Sequence, residues 1–81
     1  MLYHIKETNQ IINSDHIIEA RFHPAPTPKD LISDGEEVNE YNLQEVLVIT
    51  VVENQVNQQY RFRGGTAYRF WNILIAPATD I

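Results

Sequence analysis

The sequence predicts an α+β domain: an antiparallel sheet of four to five strands, a meander or rolled sheet, with one C-terminal amphipathic helix packed across one face. Three observations predict it. Val46, Val48, Thr50 and Val52 alternate with Leu47, Ile49 and Val51 in the chain's strongest strand pattern. Tyr60 and Phe62 alternate with Gln59, Arg61 and Arg63, a hairpin's distance further on. Ala67, Phe70, Trp71 and Leu74 then recur at i, i+3, i+4 and i+7, the apolar stripe of a helix.

Each element follows in order. Residues 2 to 7 set Tyr3 and Ile5 against His4 and Lys6, an alternation that reads as a strand closed at Asn9-Gln10. After the short apolar run Ile11-Ile12, Asn13-Ser14-Asp15 supplies side chains that bond nearby backbone and favour a turn. From 16 to 23 a second alternation places Ile18, Ala20 and Phe22 on one face and Ile17, Glu19, Arg21 and His23 on the other. Prolines 24, 26 and 28 fix φ and remove amide donors, so an extended stretch follows. Asp30 to Glu40 carries five of the eleven acidic residues, so residues 24–42 read as one Pro-rich, acidic, mobile loop, far longer than the usual four to six residues. Leu31 and Ile32 are the residues that could pin it to the body.

The 46–52 strand is apolar on both faces, which places it centrally with cover on each side. Asn54 to Gln58 reads as a polar turn. Gly64-Gly65 ends the next strand in a sharp corner, and Thr66 reads as the helix N-cap. Pro77 stops the helix. The predicted core is Ile18, Val48, Tyr60, Phe62, Phe70, Trp71 and Leu74.

Eighty-one residues make one domain with a small core. The absence of cysteine removes disulfides and thiolate metal sites and fits a reducing compartment. No run is long and apolar enough to cross a bilayer, and the first ten residues lack a signal-peptide h-region. The expectation is a soluble, cytoplasmic protein with no membrane association. Net charge of −5 repels nucleic acid unless positive charge is sharply segregated.

Arg61, Arg63 and Arg69 are the candidates for such segregation, interleaved with aromatics in the 60–74 stretch YRFRGGTAYRFWNIL. A strand puts Tyr60 and Phe62 opposite Arg61 and Arg63, however, and Phe70 and Trp71 fall on the helix's apolar stripe, so the rings serve the core. No lysine follows Gly64-Gly65-Thr66, and its spacing matches neither a P-loop nor a dinucleotide fingerprint. His4, His16 and His23 have no zinc-ligand spacing, and no serine or paired carboxylate sits in a catalytic pattern. The sequence therefore predicts no metal, no cofactor and no catalytic residue.

What remains is interaction. One helix covers one face of the 46–52 strand, so either the long loop or a second subunit covers the other, and Ile17 and Ile75, projecting from the wrong faces of their elements, favour the second subunit. The reading is a non-enzymatic, self-associating module, a homodimer or one bound to an unidentified protein partner, with Arg61, Arg63, Arg69, Ile17 and Ile75 as its candidate surface. Its alternative is a nucleic-acid or anion binder using the three arginines. The order of elements, with Asn13, Asp15 and Ile17 in an Asn-x-Asp-x-Ile stretch, resembles the small flagellar-operon proteins called FlbD-like. Pro24 to Glu40 and Gly64-Gly65 depart from that pattern, and the resemblance implies the fold alone.

Overall fold

A computed structural model describes residues 1–81. Strands β1 (Leu2–Ile5) and β2 (Gln10–Asn13) form a two-stranded antiparallel hairpin. A 3-10 turn (Ser14–His16) leads into β3 (Ile17–His23), which pairs with β4 (Val46–Glu53) and through it with β5 (Val56–Arg63). Helix α1 (Pro28–Ser33) lies between β3 and β4, and helix α2 (Gly64–Ile75) follows β5 directly. The fold is α+β with antiparallel sheets and a C-terminal helix, but the strands form two sheets of two and three strands, not one meander. Ile11-Ile12 belongs to the unexpected four-residue strand β2, whose pairing with β1 is closed by Asn9 at φ 54°. No helix is long and apolar enough to cross a membrane.

The main apolar cluster gathers on one face of β4. Leu47, Ile49 and Val51 are 0–1% exposed. Ala67 and Phe70 of α2, Phe62 of β5, and Ile5 and Ile12 of the hairpin complete a single cluster with them. Phe70 meets Phe62 edge-on at 5.6 Å between ring centres and Tyr3 at 5.6 Å, so one helical ring joins the sheet to the hairpin. Trp71 stacks on Phe22 at 5.5 Å, with the planes 13° apart. Tyr60, Trp71 and Leu74 pack against the cluster while half-buried.

Two expected core residues lie elsewhere. Val48 shares the opposite face of β4 with Val46, Thr50 and Val52, all half-buried. It stands between Arg21 and Arg61, whose stems flank it across the ladder. Ile18 is 61% exposed, and Ile17, expected outside, packs on the core. The cause is a break in the β3–β4 register. Ile17 pairs with Val51 but Glu19 pairs with Thr50, so Ile18 is an extra residue that reverses the alternation. Ile17 thereby joins Ala20 and Phe22 on the inner face.

Three corners also differ from expectation. The β4–β5 turn needs only Asn54 and Gln55, at φ 51° and 65°, the two left-handed residues of a type I′ hairpin. Residues 56–58, expected in the turn, are therefore strand. At the β5–α2 corner Gly64 adopts φ +64°, and the helix starts there, with Arg63 in the cap position and no side-chain cap bond. Thr66 is not the cap; its hydroxyl donates to the Glu7 carboxylate. Within the expected loop 24–42, a capping box starts α1. Thr27 Oγ1 accepts from the Asp30 amide (3.2 Å) and Asp30 Oδ2 from the Thr27 amide (3.1 Å), with Pro28 at the first turn. Leu31 is 2% exposed, whereas Ile32 is 69% exposed, so only Leu31 pins the segment.

Two measurements check this fold. Phe70→Ala is expected to cost about 3–5 kcal/mol in denaturant unfolding. Trp71→Ala is expected to cost less, because Trp71 packs at the margin of the core and is only partly buried. A larger loss for Trp71→Ala would put the helix in the wrong phase. The second concerns Asp30, whose carboxyl is held below its ordinary 3.8 by the Thr27 amide and then the Thr27 hydroxyl. A lowered value means that the cap's contribution is present above pH 3.8 and is lost as pH falls through the lowered value. Following the Asp30 carboxyl by NMR should give a midpoint under 3.8, and a midpoint at or above it would remove the capping box.

Candidate functional site

An open cleft of about 740 Å³ lies where the β1–β2 turn approaches the start of α2. The local reasons for it are clear in the chain. Gly64 takes a left-handed conformation that turns the chain straight from β5 into α2, leaving the first amides of the helix without a side-chain partner. The Gly64 amide itself donates to the Glu45 carbonyl at 3.0 Å, fixing the corner against the start of β4. From the other side the β1–β2 turn brings in Lys6 and Glu7.

Three cations line this cleft: Lys6, Arg63 and Arg69. Arg69 folds back over the start of its own helix, so closely that a Cβ at residue 65 would lie 2.9 Å from its Nη1. Glycine at 65 is what leaves that path open. Arg63 is held from the far side, its guanidinium 3.9 Å above the ring of Tyr41. No acidic residue occupies the first turn of α2. The carboxylate that compensates is Glu7, tied to Thr66. Three positive side chains at the positive end of a helix dipole, against one carboxylate, make an electrostatically unbalanced corner.

The expected candidate residues separate into different places. Arg63 and Arg69 meet in the cleft. Arg61 is exposed on the outer face of the sheet opposite Val48, outside the cleft lining. Ile17 lines a smaller groove of about 370 Å³ between β3 and the end of α2, beside Ile18, Ile73 and Leu74. Ile75 is 39% exposed in the last turn of α2. The five residues therefore do not form one surface. Lys6 and Glu7, read from the sequence only as part of a strand, were not among its candidate site residues, since nothing local in KETN marks residues that meet a helix some sixty positions later.

The histidines stay on separate elements, and His4 pairs with Asn9 Oδ1 at 3.0 Å across the hairpin turn. No three His, Asp or Glu side chains gather as a metal-binding group. No protein-family model, curated protein or solved structure matches this chain.

Proposed function

We propose that this protein is a small interaction module, without catalytic chemistry of its own, that works by self-association. The observation that carries this reading is its unsatisfied apolar surface. Nine of 81 residues are buried, while Leu2, Ile11, Ile18, Ile32, Val56 and Tyr68 are each more than half exposed. Its radius of gyration, 14.1 Å, also exceeds the roughly 12 Å of a close-packed chain of this length. Without disulfides, a domain so sparsely cored gains stability from a second subunit. Sedimentation equilibrium should give the mass of a dimer at micromolar concentration. A strict monomer across that range would overturn the reading.

A second reading is favoured by one observation, the gathering of Lys6, Arg63 and Arg69 at the uncapped start of α2. Under it the cleft takes a phosphate-bearing anion, with Arg61 too far along the sheet to share in it. Titration with inorganic phosphate and with a single-stranded oligonucleotide, at low and high salt, separates the two. Binding that falls steeply with salt and is lost in Arg69→Ala supports the anion site; no binding at low salt removes it.

A further inference from the structure

We propose that the outer edge of β5 pairs antiparallel with β5 of a second copy, joining two three-stranded sheets into one of six. The inference rests on the self-association reading and names the surface that it uses. The three-stranded sheet has two edges, β3 and β5, and they are built differently. Natural sheets protect their edges with bulges, prolines and charges, because unpaired amides and carbonyls there invite another strand. β3 is protected in this way: it carries the Ile18 bulge and the charged pair Glu19 and Arg21, and prolines follow it at once.

β5 has none of these devices over most of its length. All eight of its residues stay in unbroken register with β4, from Val46↔Arg63 to Glu53↔Val56. It contains no proline, glycine or acidic residue, and its first charge is Arg61. Val56, Asn57, Gln58 and Gln59 are exposed, and β4 is its only ladder partner. The edges of the hairpin are half as long, at four residues each. Eight residues long, in unbroken register and free of charge from Val56 to Tyr60, β5 is the edge that is left open to pairing.

The charge pattern selects a second copy in antiparallel orientation. Opposed residues of an antiparallel ladder share a face, so a strand paired with itself is centred on a single residue. Centred on Gln59, the ladder sets Arg61 opposite Asn57 and Phe62 opposite Val56. Centred on Tyr60, it sets Arg61 opposite Gln59 and Arg63 opposite Asn57. Both arrangements keep every arginine opposite an amide side chain, because the charges lie at one end of the strand only. A parallel in-register partner would stack Arg61 on Arg61. The two-fold axis closes the assembly at two copies, with both α2 helices on the same side.

Gln59→Lys tests the pairing, since a lysine there meets its own copy in the first register and Arg61 in the second. Residue 59 is exposed, so the thermal midpoint of the diluted chain should hold. The dimer, measured by sedimentation equilibrium, should weaken by about five- to tenfold. Gln59→Glu divides the registers, weakening the first and strengthening the second. In wild-type protein, hydrogen exchange at 56–63 should slow as concentration rises, a readout that needs no variant. A dimer that Gln59→Lys leaves unchanged, with no concentration-dependent protection in β5, overturns the edge pairing while self-association stands. A wild-type chain that never dimerises overturns both.

Discussion

The structure depends on the burial of a single strand face. Leu47, Ile49 and Val51 of β4 are almost entirely removed from water, and α2, β3, β5 and the β1–β2 hairpin all contribute to covering them. Fully burying side chains of this size is worth about 1.5–3 kcal/mol each, a large part of the stability expected of so short a chain. The helix supplies Ala67 and Phe70, the hairpin Ile5 and Ile12, and β3 the Ile17, Ala20 and Phe22 that pack at the margin. Phe70 is the joint of this arrangement, because its ring touches both the sheet, through Phe62, and the hairpin, through Tyr3.

That single core has consequences for charge. To lay α2 over the Leu47 face directly after β5, the chain turns within one residue at Gly64, and the first amides of the helix are left uncapped. The same packing brings the β1–β2 turn against them, so that Lys6, Arg63 and Arg69 gather in a protein whose net charge is −5. Positive charge is thus segregated at one corner, while the acidic residues crowd the segment around α1. The far face of β4 is treated differently: its valines are flanked by arginine stems and amides, a half-covered surface and not a bare apolar one.

Much of this was legible in the residues, and the failures share a cause. Alternation identified β4 and the two faces within it, and the 3.6-residue period identified α2 with Phe70 inward. Periodicity says which residues share a face but not which face meets the core, so Val48 was exchanged for its neighbours Leu47 and Ile49. A bulge adds one residue and leaves no compositional trace in IIEARFH, so Ile17 and Ile18 were exchanged as well. The α1 helix was hidden by prolines that suggested an extended chain, although Thr27-Pro28-Lys29-Asp30 carries the features of a capped start.

The sequence by itself determined the α+β class, the central strand, the helical stripe and the sharp corner at Gly64-Gly65, because these follow from local period and from backbone conformations that glycine reaches. Only the tertiary structure decided the division into two sheets, the choice of buried face and the meeting of Lys6 and Glu7 with the start of α2. Those depend on contacts between residues far apart in the chain, where the free energy of burying one continuous core selects among arrangements that the local patterns leave equally open.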